Sequence, residues 1–190
     1  MLRRTLLLVA LLLPAGALAQ GWSLAPGSAI GFVAYQQGRP VAGGFERFSA
    51  AIELDPKDLA GSRIEVTIDV ASITTGHKDR DAMLRSSSFF DVARWPSARF
   101  VSREVVHREG GRYAARGELS IRDVTREAVL PFTLAIGADP EAADRLRAQA
   151  AGELAISRLD YGVGQGEFAS TGTVGEEVVI RIAIVATRPR

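Results

Sequence analysis

Beyond residue 29 the chain alternates. Ile64, Val66, Ile68 and Val70 are interleaved with Arg63, Glu65, Thr67 and Asp69, so one side of this segment is apolar and the other polar or charged. Successive side chains leave an extended strand on opposite sides, so a period of two predicts a strand with one buried face. Tyr113, Ala115, Gly117, Leu119 and Ile121 repeat the pattern against Ala114, Arg116, Glu118, Ser120 and Arg122. Near the C-terminus Val178, Ile180, Ile182 and Ile184 share one phase, while Val179 and Val185 make the opposite face partly apolar. Further strands are predicted over Ile30–Tyr35, Phe45–Leu54, Ala98–His107, Glu127–Ile136 and Arg147–Ser157, which brings the number to eight.

Turn chemistry separates these runs at Gln36-Gln37-Gly38-Arg39-Pro40, Asp55-Pro56, Glu109-Gly110-Gly111 and Gly137-Ala138-Asp139-Pro140. The Gly110-Gly111 pair between two alternating runs predicts a hairpin joining Ala98–His107 to Tyr113–Ile121. One helix is predicted over Lys78–Arg85, with short helical turns near Pro56–Leu59 and Pro140–Asp144.

Eight antiparallel strands make either a sandwich or a closed barrel, and closure removes exposed sheet edges. The inner phases carry large residues such as Phe100, Tyr113 and Phe132, but also Ser102, Ala115, Gly117, Ala148, Ala150 and Gly152. A packed sandwich would fill such positions with bulk, because empty volume costs stability. The expectation is an all-β, eight-stranded antiparallel barrel with a lumen and a short helix across one end. On strand phase alone, the lumen is lined by Phe32, Val66, Ile68, Phe100, Tyr113, Ala115, Gly117, Phe132, Leu134 and Ile182.

The start of the chain has a different character. Arg3 and Arg4 precede the apolar run Leu6–Leu13, Pro14 and Gly16 break it, and Ala17-Leu18-Ala19 is a small-x-small cleavage pattern. Residues 1–19 therefore read as an export signal and 20–190 as one barrel domain, periplasmic or secreted. The apolar run is far short of the ~20 residues that span a bilayer. Loss of Arg3 and Arg4 takes the formal charge from +1 to −1, which gives no basic surface for nucleic acid. With no cysteine, the fold holds without disulfides.

Candidate chemistry concentrates in Thr75–Phe100, TGHKDRDAMLRSSSFFDVARWPSARF. His77, Asp79 and Asp81 are metal-ligand types, but alternate residues at a helix entry point in different directions and no further histidine cluster exists, so no metal is expected. Thr75 or Gly76 is instead expected near the N-cap, with the aspartates in the first turn. Ser86, Ser87 and Ser88 lack a nucleophile elbow, so no catalytic residue is assigned. Gly162-Val163-Gly164-Gln165-Gly166 resembles a dinucleotide loop only loosely and reads as a turn. Arg80, Asp81, Arg85 and Asp91 are expected to form an ion-pair and capping network that fixes the helix across one barrel end. Arg80 or Arg85 is the candidate headgroup contact at the mouth, since a guanidinium fork suits phosphate or carboxylate. Phe89, Phe90 and Trp95 would then pack the lid's underside, the upper part of a bound tail, or both.

Within that frame the sequence resembles the YceI-like family. Thr75-Gly76, Arg80-Asp81, Leu84-Arg85-Ser86, Phe89-Phe90-Asp91-Val92, Pro96 and Phe100 are similar to its first block. Gly117–Arg126, GELSIRDVTR, is similar to the second, and Arg158-Leu159-Asp160-Tyr161-Gly162 to the third. Three positions depart from the family pattern: Gln36-Gln37 where a histidine often precedes the hairpin glycine, Ser88 where aspartate is common, and Glu127 where proline is common. The resemblance implies a lipocalin-like barrel whose apolar tunnel holds a polyisoprenoid, an isoprenoid quinone or a similar lipid chain. The expected role is a non-enzymatic periplasmic carrier with no resident cofactor beyond such a lipid. Alternatives are a quinone-presenting accessory to a b561-type membrane cytochrome, or an enzyme on a small apolar substrate. Transient membrane or cytochrome contact and a homodimer complete the expected partners.

Overall fold

Hydrogen bonding joins the alternating segments into one antiparallel sheet in the computed structural model, which describes residues 21–190. The expected export signal, residues 1–19, lies outside the described residues. In chain order the elements begin with β1 (Ser23–Leu24), β2 (Ala29–Gln36), β3 (Arg39–Phe45), β4 (Phe48–Asp55), β5 (Asp58–Asp69), β6 (Ile73–Thr74) and α1 (Lys78–Arg85). They continue with β7 (Ser97–His107), β8 (Arg112–Ile121), β9 (Val124–Asp139), β10 (Ala142–Ser157) and β11 (Glu177–Pro189). Among the described residues no helix is long and apolar enough to cross a membrane.

The strands lie in the order β4-β5-β7-β8-β9-β10-β11-β2-β3-β6. β4 stands at one edge and β3 near the other, yet they follow each other in the chain across Glu46-Arg47. The sheet therefore curls until the backbone itself joins its two margins. β1 ties the opposite end: Ser23 pairs with Thr187 of β11, and Trp22 bridges to Ile52 of β4. Taken as one bent strand, β3 and β4 leave eight long strands, and the result is a barrel.

Two local expectations are corrected. The strand predicted over Phe45–Leu54 is the end of β3 plus most of β4, and β3 is an additional strand. Pro40 and Gly43-Gly44 mask it in the sequence, because proline lacks a ladder donor and glycine lacks a side chain to pack. Gly43 has a positive reason to be there: a Cβ would overlap the Phe32 ring, which lies over its backbone. The helical turns expected at Pro56–Leu59 and Pro140–Asp144 are two-residue hairpin turns. Asp55 already pairs with Asp58 and Asp139 with Ala142, which leaves no room for a helical turn.

The hairpin at Gly110-Gly111 forms as expected, with Phe100 opposite Leu119 and Ser102 opposite Gly117. Between β2 and β3, Gln37 and Gly38 both take positive φ, at 49° and 73°, as a two-residue hairpin turn with strand-matching twist requires. The outward phases carry cross-strand ion pairs such as Arg99–Glu65 and Arg103–Glu118, each 2.6 Å. These are exposed and contribute little stability individually. They make the exterior largely polar, so most of the apolar surface of the described residues faces inward.

Candidate functional site

The inward side chains do not fill the space they surround. An apolar chamber of about 130 Å³ lies toward the end closed by β1, bounded by Val66, Ile68, Phe100, Phe132, Leu134 and Ile182 among others. A second, of about 110 Å³, lies toward α1 and is walled by Phe32, Phe45, Ile121, Ile156 and Val178. The two share Ile68, Leu119 and Ile180 in their walls. Apolar space of this size stays dry, since a water inside would forfeit its hydrogen bonds, and it is about the size that admits a hydrocarbon ring. Beyond the second chamber a vestibule of about 430 Å³ opens between α1 and the β2–β3 hairpin. Phe32, Leu84, Phe89 and Val174 separate it from the chamber. Along β11 the chamber walls run from Val178 to Ala186, about 27 Å of strand at ~3.4 Å per residue, or roughly 20 Å along an axis to which strands tilt by ~40°.

Seven of the ten residues assigned to the lumen by phase border these spaces: Phe32, Val66, Ile68, Phe100, Phe132, Leu134 and Ile182. Tyr113, Ala115 and Gly117 do not. Their phase is inward, but the barrel is too tight where they sit. Tyr113 stacks beneath Phe132 at 5.6 Å between ring centroids, and Ala115 is fully buried. Gly117 faces the bulge in β7, where any Cβ would overlap the Val101 carbonyl. Ser102, beside it, accepts the Ile64 amide on Oγ at 2.7 Å. Gly152 likewise lies against the Pro131 carbonyl. The small residues that do leave space are Ala50, Ala148, Ala150 and Ala186.

The lid is braced by Asp81 and Arg85 as expected, but through hydrogen bonds to backbone and hydroxyl groups rather than ion pairs. His77, directly after Gly76, is the N-cap of α1, and its side chain makes no capping bond. Asp81 instead accepts from Thr75 Oγ1 at 2.5 Å and from the Thr75 amide at 2.8 Å. The Thr75 hydroxyl bond does most to hold this carboxyl below its usual range. Burial opposes it, while the Thr75 amide and the nearby Arg85 and Arg80 charges reinforce it. Arg85 spends its fork on the carbonyls of Ala71 (2.8 Å) and Ile73 (2.6 Å) and is a brace rather than a mouth residue. Arg80 donates from Nε to Thr75 Oγ1 at 2.8 Å and lines the vestibule. Phe89 and Phe90 border the second chamber. Trp95 stands outside, between the guanidiniums of Arg94 and Arg122 at 4.4 and 4.5 Å. A half-buried indole face attracts cations, which explains its withdrawal from the lid's underside.

Two further arginines, given no role by the sequence reading, complete the lid. Arg122 donates to the carbonyls of Phe89 and Gly162, joining the segment after α1 to the crossover between β10 and β11. Arg158 is 4 % exposed and caged by carbonyls of Gly175, Val163, Phe168 and Val174 at 2.8, 2.8, 2.7 and 2.8 Å. Burial pushes its pKa down, Glu176 partly offsets this, and no carboxylate among the described residues lies within ion-pair distance. The signal was the glycine spacing: Gly162, Gly164 and Gly166 all take positive φ, and a Cβ on Gly164 would overlap the Arg158 guanidinium. Among the described residues no three of His, Asp and Glu gather as metal ligands.

Fold and site together define a barrel that encloses an apolar, dry interior and opens through a lidded mouth at one end. The chain belongs to the YceI-like domain family, whose model matches residues 22–186. It is 32% identical over 149 residues to a UPF0312 protein of Photorhabdus laumondii, covering 78% of this chain and 74% of that one. In three dimensions it is similar to Burkholderia cenocepacia BcnA, with a TM-score of 0.77 at 31% identity over 84% of this chain and 96% of that one. A polyisoprenoid binding domain from Saccharophagus degradans shares the fold, with a TM-score of 0.64 at 18% identity over 90% of this chain and 99% of that one.

Proposed function

We propose that this protein is a carrier that sequesters one long apolar lipid, of the polyisoprenoid type, with the tail in the two chambers and the polar head in the vestibule. The observation that carries the reading is the succession of two apolar chambers behind a vestibule whose lining includes the polar side chains of Gln36, Thr75, His77, Asp79 and Arg80. The fold shared with a polyisoprenoid binding domain supports it. The leader read in residues 1–19 supports action outside the cytoplasm. A binding role is favoured over catalysis because the deeper chamber is walled by carbon alone and offers no group to move a proton.

Burying a five-carbon isoprenoid unit is worth about 4 kcal/mol relative to water, at ~0.8 per carbon. The lipid's other home is a membrane as apolar as the tunnel, so tail transfer between them is nearly neutral. Partition is then decided by tunnel shape and by the head, where Arg80 lines the vestibule and Arg85, bonded to two carbonyls away from it, does not. An isoprenoid quinone satisfies the same geometry, and a redox-sensitive absorbance in extracted lipid would identify it. Native mass spectrometry of protein purified from its own compartment without detergent is expected to show a lipid adduct. The mass of the bare chain under every condition would overturn the reading.

A further inference from the structure

We propose that Trp22 is the floor of the tunnel and sets the longest chain it accepts, an inference that rests on the lipid-binding reading. β1 is too short to hold by itself, yet it is fastened on both sides. The Trp22 amide donates to Ile52 O, and the Ala25 amide to Val185 O, each at 2.8 Å. This fixes the indole inward, 5 % exposed and against the deeper chamber. Its one polar atom is satisfied, since Nε1 donates to Leu54 O at 2.9 Å. Only carbon is left to face the chamber. The Arg188 guanidinium covers the ring, 4.6 Å from its centroid. Across the chamber stands Phe132, backed by Tyr113.

Position along the barrel turns this plug into a gauge. Trp22 lies beside the Thr187 end of β11, whereas the vestibule lies where Gln36 bridges to Val174. A chain entering tail first passes the Phe32–Phe89 constriction, then the Ile68–Leu119–Ile180 junction, and its terminus meets the indole. A shorter chain leaves apolar space unfilled, and a longer one must fold back against a close-packed wall or leave carbons in the wet vestibule. Both departures weaken binding, so the distance from mouth to floor selects a length.

The test offers the mature chain an equimolar set of geraniol, farnesol, geranylgeraniol and solanesol and reads occupancy by native mass spectrometry. Wild type is expected to favour longer members up to a limit and to reject the next. Trp22→Ala should raise relative occupancy of the first rejected alcohol by about tenfold or more. Ala150→Leu, which fills the deeper chamber, should move the limit to a shorter member. A folded Trp22→Ala protein with the wild-type limit would overturn the proposal. If Trp22→Ala does not fold, Trp22→Leu and Ala150→Leu decide it, and an unmoved limit in both would overturn it equally. Wild type that takes up none of the four would refute the lipid-binding reading itself, which separates the two failures.

Discussion

Arg158 donates from Nη2 to the Phe168 carbonyl at 2.7 Å, and the Phe168 ring lies against Phe89 with 4.9 Å between centroids. A buried cation on the crossover thus fixes an aromatic contact at the boundary between chamber and vestibule. Its partners are all backbone, so the cage stabilises one conformation of residues 163–175 rather than one pair of side chains. Arg158→Met would leave those carbonyls buried without donors, at about 1–3 kcal/mol for each that water cannot reach. The expected result is a fall in urea midpoint corresponding to at least ~3 kcal/mol, with new proteolytic cleavage between Gly164 and Gly175. Arg158→Lys should fall between, because an ammonium has three donors and lacks the planar fork.

Asp81 ties acid stability to the lid. Its carboxyl is held below the usual range, so its contribution is fully present above the unfolded value of ~3.9 and is lost as pH falls through the lower folded value. Asp81→Asn should be less stable than wild type near neutrality, and the two should converge in acid below about pH 4. Thr75→Val removes the hydroxyl that donates to Asp81 and accepts from Arg80, with an expected cost of roughly 1.5–3 kcal/mol near neutrality. Denaturant midpoints measured across this pH range check both expectations.

The junction of the two chambers is a narrow target. Ile180 belongs to both walls, and its neighbour in phase, Ile182, belongs only to the deeper one. Ile180→Trp should close the passage, abolish uptake of long isoprenoid alcohols and leave a short one bound above it. The overpacking cost is expected at ~1–3 kcal/mol by thermal unfolding. Retention of the longest ligand would place its path elsewhere.

Gly117 separates crowding from emptiness. It lies against the backbone of Val101 and Ser102, and even a methyl group there would overlap main chain that cannot rotate away. Gly117→Ala should therefore lower stability by about 1–3 kcal/mol or more in the absence of lipid. Ala150→Val, by contrast, adds only carbon and should be tolerated more readily in a wall that borders open space. Melting temperatures of both lipid-free variants are the measurement.

Much of the architecture was legible. The phase of β5, β8 and β11, the Gly110-Gly111 hairpin and the span of α1 are local properties: alternation, turn chemistry and helix-forming residues act within a few positions. β3 was hidden because its proline and glycines oppose strand formation locally, and Phe32 and β2 override that preference only after folding. The site was legible in part. Inward phase placed Val66, Phe100 and Phe132 on the chamber wall, but it could not separate them from Tyr113 and Gly117, which share an inward phase and lie where strands crowd.

The sequence by itself determined which face of β5, β8 and β11 would be greasy, where most of the chain reversals would fall and which stretch would form the lid, because these follow from neighbours a few bonds apart. Tertiary structure alone decided that Trp22 closes one end, that Arg158 is entombed while Arg80 reaches the mouth, and that the void is bordered by Ala148 and Ala150 rather than Gly117. Those outcomes depend on separations between strands remote in the chain, which are set only when the curled sheet meets itself.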